Sequence, residues 1–295
     1  RGGGGGHEIL EFDCAPRVRD APFRKGGAPV QYIHIPKAGG TTIQKVLSGM
    51  RGRLGYKLHL TNVGFKCPIR GSFGAGEVYM GHMPLGWCVA ESPARPLYMV
   101  SLREPISRIV SLYDYMATFT GKGAGPKFLA AVKRMRDRET AMEGRGIPST
   151  GFLEHLFAAG EVEEVDYAGL VDDDQMRWLL PATCSSPLDN PRSRLATALT
   201  NLLRCDVVVD SDLLSSQLLP QLWYHAQQTT YLNSMGHSNT GHRPKQALSN
   251  ATVAKILARR AGGLEVEVVD GDLVLYDFAR RVARAREERA RACWG

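Results

Sequence analysis

The chain has 295 residues, 43% hydrophobic and 23% charged, the balance of an ordinary globular protein with enough length to bury a core, which excludes wholesale disorder, collagen-like fibres and coiled coils. No window approaches 18 uncharged apolar residues, so these residues contain no membrane-spanning helix. The 37 Lys and Arg outnumber the 30 Asp and Glu for a formal charge of +7, which favours anionic ligands: nucleotides, sulfated or uronate-bearing glycans, nucleic acid or acidic lipid.

Residues 1–28 begin with Arg1 and five glycines and are rich in Gly, Pro and charge; they read as an irregular lead-in or the remnant of a stalk. Residues 29–295 read as one domain, without internal repeat or boundary. Val30 to Ile35 is a β-prone run stopped by Pro36 and Gly39-Gly40, and Ile43, Val46, Leu47 and Met50 then recur at helical spacing behind Thr41 or Thr42 as cap. The stretch 51–76 reads as a mixed connection, and Glu77 to Met80 as a strand delivering Gly81-His82. Pro96 to Leu102 is another strand, followed by a helix that opens at Pro105 and buries Ile106, Ile109, Val110 and Tyr113.

From 120 to 150 the chain is polar and basic and predicts a helix between Gly-rich loops. Further helices are expected near 150–160, 173–180, 195–204, 213–229 (interrupted by Pro220), 248–260 and 271–291, with a strand at Asp206 to Val209. Strands alternating with helices predict an α/β fold with a central parallel sheet flanked by helices. Six cysteines, Cys14, Cys67, Cys88, Cys184, Cys205 and Cys293, lie far apart without a CxxC pair, which argues against a zinc site. Their even number suits disulfides in a secretory compartment and equally suits reduced, buried thiols. Asn250-Ala251-Thr252 is the one glycosylation sequon.

Three segments carry chemistry. Pro36-Lys37-Ala38-Gly39-Gly40-Thr41-Thr42 lies between a predicted strand and helix, where glycines let backbone approach a phosphate and the first N–H groups of the helix attract an anion. The lysine precedes both glycines, unlike GxxxxGK[ST], which argues against an ordinary kinase or ATPase. Arg103 ends a strand and Ser111 lies on the second turn of the next helix, so both can reach one phosphate. Between them, Gly81-His82 puts an imidazole at a strand end, where sheet folds bind ligands, with a pKa suited to taking a proton from a hydroxyl.

The first segment resembles the 5′-phosphosulfate loop of sulfotransferases, especially Golgi carbohydrate enzymes related to the heparan sulfate 2-O- and 6-O-sulfotransferases, and residues 101–113 resemble that family's RxPxxRxxSxY pattern. The resemblance implies a P-loop-like nucleotide-binding fold. It further implies transfer of a sulfuryl group from 3′-phosphoadenosine 5′-phosphosulfate to a carbohydrate hydroxyl, with no metal and no nucleic acid involved. His82 is then the general base and Lys37 the residue that neutralises the leaving phosphate. Lys37, Ala38, Gly39, Gly40, Thr41 and Thr42 hold the 5′-phosphate, and Arg103 and Ser111 the 3′-phosphate. Weaker matches implicate Thr240 and Arg243 in a loop returning to the donor, liken Asp174 to Leu179 to an NxQxRxL helix, and liken Asp270 to Phe278 to a closing DxxLYxFA packing helix. The resemblance also implies residence in the Golgi lumen as a type II membrane glycoprotein, through an anchor outside these residues. The basic segment 122–145 is the candidate for contacting an anionic acceptor, whereas the arginines of the last helix read as a solvated face. Two other readings stay open: a nucleotide-dependent kinase or NTPase of the same fold, and a catalytically inactive glycan- or nucleotide-binding protein.

Overall fold

Short apolar runs bounded by turn formers make five strands among the residues that the computed structural model describes, namely 22–61, 74–86, 95–120, 126–148, 151–159, 175–180, 191–226, 248–253 and 266–294. The strands are β1 (Val30–Ile33), β2 (Lys57–Thr61), β3 (Glu77–Gly81), β4 (Leu97–Leu102) and β5 (Val207–Asp210). They form one parallel sheet in the order β2-β3-β1-β4-β5. The helices are α1 (Gly40–Leu54), α2 (Pro105–Thr118), α3 (Pro126–Glu143), α4 (Phe152–Ala159), α5 (Gln175–Leu179), α6 (Pro191–Arg204), α7 (Leu214–Ala226) and α8 (Val266–Trp294). The fold is therefore α/β, with a central parallel sheet flanked by helices.

Parallel strands covered on both faces need apolar side chains on both. Val30, Tyr32, Leu97, Met99, Val207 and Val209 point to one face, where they pack with Ile43 and Leu47 of α1 and Leu214, Leu218 and Leu222 of α7. Ile33, Val100, Leu102 and Val208 point to the other, against Trp178 and Leu179 of α5, Ala198 and Leu202 of α6, and Leu275, Tyr276 and Ala279 of α8. A third cluster joins α2, α3 and α4 through Ile109, Leu112, Met135 and Phe152.

Several boundaries differ from the sequence expectation. Phe23 and Ala28 are buried in the first cluster and Phe23 meets Tyr56 edge to face, so packing begins upstream of residue 29. The connection expected over 51–76 contains β2, whose Lys57-Leu58-His59-Leu60-Thr61 alternation suits an edge strand; Leu58 packs against the core while Leu60, further along the same face, is 46% exposed. Helix α7 is not interrupted at Pro220 but runs through it. Proline withholds the N–H that would bond the Ser216 carbonyl, and Arg291 of α8 donates to that oxygen instead at 3.2 Å. Among the described cysteines, Cys205 is a buried free thiol and Cys293 is disulfide-bonded. No helix among the described residues is long and apolar enough to cross a membrane.

Candidate functional site

The chain leaves β1 through α1 toward β2 on one side of the sheet and leaves β4 toward β5 on the other, so a crevice opens between the carboxyl ends of β1 and β4. The turn after β1 is built around two left-handed residues, Lys37 (φ 64°) and Gly39 (φ 85°). Gly39 stands at the N-cap of α1, where no side chain caps the helix and no acid lies in the first turn, leaving the positive end of its dipole uncompensated. Gly40 has a second constraint: a Cβ there would lie 1.8 Å from Nε2 of His34. The turn is tied down by Ser101 of β4, whose hydroxyl donates to the Ala38 carbonyl at 2.5 Å. With that proton committed, the Tyr32 hydroxyl donates to Ser101 Oγ at 2.6 Å. All three residues are buried.

Arg103 follows β4 directly. Its Nη1 donates to the Lys37 carbonyl at 3.3 Å, so the two sequence segments singled out for phosphate meet across adjacent strand ends. Its Nε has no hydrogen-bond partner among the described residues and lies 3.9 Å from Asp212, a half-exposed carboxylate that is a weak competitor for it. The backbone of Arg103 is held by Gln175 of α5, which accepts from Arg103 N–H at 2.9 Å and donates to Arg103 C=O at 2.8 Å. Helix α2 starts two residues later, where the Glu104 carboxylate at the N-cap accepts the N–H groups of Ile106 and Ser107 and Pro105 occupies the first turn. Ser111 is partly buried on this helix, and Tyr115 lies one turn beyond it on the same face. The Lys37 ammonium lies over the Tyr115 ring, 4.4 Å from its centroid, which brings Lys37 to the Ser111 side of α2. Burial, then the nearby Arg103 charge, push the Lys37 pKa down, and Asp114 opposes them.

His82 emerges from β3, on the other side of β1. Its Nδ1 is 2.8 Å from the His34 carbonyl, which can only accept, so Nδ1 carries the proton and Nε2 a lone pair. The ring stacks on His34 at 4.3 Å and meets Trp178 at 5.9 Å. The loop that carries it is fixed by Gln31, which donates to Pro84 C=O, and by Leu85 N–H, which donates to Trp178 C=O. Burial holds the His82 pKa below the ordinary histidine value against the raising effect of the His34 carbonyl. His34 is pushed down to about 3 by burial, by His82 and by Lys37 in that order. A neutral imidazole, an ammonium and a guanidinium thus surround the carboxyl ends of three neighbouring strands, β3, β1 and β4.

Of the residues expected to hold the donor, Lys37, Ala38, Gly39, Gly40, Thr41, Thr42 and Arg103 come together at this crevice, with Ser111 on its α2 wall. Thr240, Arg243 and Asp174 lie outside the described residues. The basic segment expected to meet an anionic acceptor lies partly on α3. Among its residues Lys133 pairs with Asp137 at 2.7 Å, and Arg136 donates to the Ala117 and Phe119 carbonyls that end α2, so these cations serve intramolecular contacts. The DxxLYxFA-like segment does more than pack: both Asp272 carboxylate oxygens accept backbone N–H groups at the start of α5, and the Tyr276 hydroxyl donates to Asp210 at 2.9 Å. The roles of His34, Ser101, Gln175 and Asp272 went unread in the sequence. Gln175 left a trace there as the glutamine of the NxQxRxL-like helix, and Asp272 as the aspartate of the DxxLYxFA-like segment. Among the described residues no three His, Cys, Asp or Glu side chains gather as a metal site would require. No protein-family model matches the chain, and no curated protein matches it.

Proposed function

We propose that the protein is a sulfotransferase of P-loop-like fold that moves a sulfuryl group from 3′-phosphoadenosine 5′-phosphosulfate to a carbohydrate hydroxyl. The observation that carries this reading is the meeting of Arg103 with the Lys37 carbonyl at the β1–β4 crevice, with an orphan Nε left on the guanidinium. Such a donor beside an uncapped helix start suits a ligand with two separate phosphate groups. In this reading the backbone of residues 38–42 holds the 5′-phosphate, and Arg103 and Ser111 hold the 3′-phosphate that distinguishes this donor from ATP.

The neutral His82 Nε2 takes the proton of the acceptor hydroxyl as its oxygen attacks sulfur. The bond from sulfur to the bridging phosphate oxygen breaks, and Lys37 neutralises the charge that gathers on that oxygen. Alignment and charge stabilisation do most of the work, as in phosphoryl transfer. The disulfide at Cys293 suits an oxidising compartment such as the Golgi lumen.

Calorimetric titration with adenosine 3′,5′-bisphosphate, beside Mg-ATP, on wild type and Arg103→Ala tests the reading. Tight bisphosphate binding that Arg103→Ala loses is the expected result, followed by sulfate transfer from the labelled donor to glycan acceptors. Mg-ATP binding that ignores a 3′-phosphate overturns it in favour of a kinase or NTPase. Bisphosphate binding without transfer to any acceptor overturns it in favour of an inactive binding protein.

A further inference from the structure

We infer that Gln175 and Asp272 are positioning residues that set the orientation of Arg103 and thereby selectivity for a 3′-phosphate, an inference that rests on the donor reading above. Strand β4 ends at Leu102, so the peptide groups of Arg103 lack the ladder partners that hold the strand before it. Gln175 supplies them. Its carboxamide pairs with both the N–H and the C=O of residue 103, at 2.9 and 2.8 Å, as a neighbouring strand would. The two bonds fix which end of the amide is oxygen, and the side chain is fully buried.

Gln175 is itself held from behind. The Asp272 carboxylate, 4% exposed, accepts the N–H of Gln175 at 3.0 Å and that of Met176 at 3.2 Å, capping α5 from α8. A second contact from α8, Tyr276 to Asp210, holds the end of β5 two residues before Asp212, the carboxylate that faces the Arg103 guanidinium. The main chain at 103 is the pivot of a long side chain. A small rotation there displaces the guanidinium by a large fraction of a hydrogen-bond length, while the α1 end of the crevice stays anchored through Ser101. Loss of the clasp therefore weakens recognition of the 3′-phosphate and spares the 5′-phosphate.

The test uses the full chain as wild type, Gln175→Met and Asp272→Asn, titrated with adenosine 3′,5′-bisphosphate and with adenosine 5′-monophosphate, and with thermal melts of each protein. Gln175→Met keeps the length of the side chain and removes both bonds. It is expected to bind bisphosphate about tenfold or more weakly, with monophosphate affinity unchanged within about twofold. Asp272→Asn, which leaves the Gln175 amide in place, is expected to give the same ligand-selective loss at smaller amplitude, and it decides the matter if Gln175→Met does not fold. In an Arg103→Ala background, Gln175→Met is expected to cost nothing further, because its effect passes through that guanidinium. Equal weakening of both ligands, no weakening, or additive losses in the double variant overturn the positioning role and leave the donor reading standing. A wild type that does not prefer bisphosphate overturns both.

Discussion

The His82 ring is clamped between His34 and Trp178 with its proton on the side facing a carbonyl, and burial favours the neutral form that a base needs. In the proposed mechanism Lys37 must stay protonated to neutralise a leaving oxygen, and its pKa is lowered from 10.5. The pH profile of kcat/KM for sulfuryl transfer is therefore expected to be bell-shaped. Its acid limb should have a midpoint below the ordinary histidine value of 6.5, and its alkaline limb should fall below 10.5. An acid midpoint above 6.5 would exclude His82 as the base. Gly40→Ala is expected to drive its Cβ into the His34 ring, 1.8 Å away in the native packing, and to cost about a hundredfold in turnover through the stacked His82. Turnover should recover in part when His34→Ala is added, which steady-state kinetics on the single and double variants would check. Arg108 of α2 is 2% exposed, and its Nε and Nη1 have no hydrogen-bond partner among the described residues. A desolvated charge without partners costs stability. Urea unfolding of Arg108→Met is therefore expected to show a gain of about 1–4 kcal/mol, and a loss would mean that the guanidinium is compensated.

Two elements meet at the turn after β1, and one hydroxyl joins them. Ser101→Ala leaves the Tyr32 hydroxyl and the Ala38 carbonyl buried without that partner, so a loss of about 2–5 kcal/mol is expected in urea unfolding. A loss below about 0.5 kcal/mol would show that the turn is anchored otherwise. The sequence made this turn and Arg103 visible because each sits where a buried apolar run stops at Pro or Gly and a helix begins. That local grammar also exposed β1, β3, β4 and β5. Strand β2 stayed hidden because five alternating residues on a sheet edge resemble a loop. The path through Pro220 stayed hidden because its compensation comes from Arg291, 75 positions from Ser216. The clasp on Arg103 was illegible for the same reason: Gln175 lies 72 positions from Arg103 and Asp272 lies 97 from Gln175. The local contacts of α3 were equally out of reach of the sequence: Lys133 pairs with Asp137, and Arg136 donates to the Ala117 carbonyl of α2.

At the scale of the whole molecule, burial of neutral histidines ties stability to pH. His34 is pushed down to about 3 and His225, buried in the last turn of α7 against the Asp206 carbonyl, to about 4. Between those values and the unfolded value near 6.5, the unfolded chain binds more protons than the native one at both sites. Stability therefore rises with pH and is lost on acidification. These two groups should contribute a slope approaching about 2.7 kcal/mol per pH unit once pH is well below 6.5, about half of which His225→Leu should remove. Calorimetric melts of both proteins from pH 7.5 down to 4.5 would check this, and parallel pH dependences would refute it. The acceptor that orients His82 is not a side chain at all but the peptide oxygen of residue 34. Substitution can rewrite every side chain around the crevice, yet no single substitution deletes that oxygen. The tautomer of His82 is thus set by the backbone just past the end of β1 rather than by any neighbouring side chain.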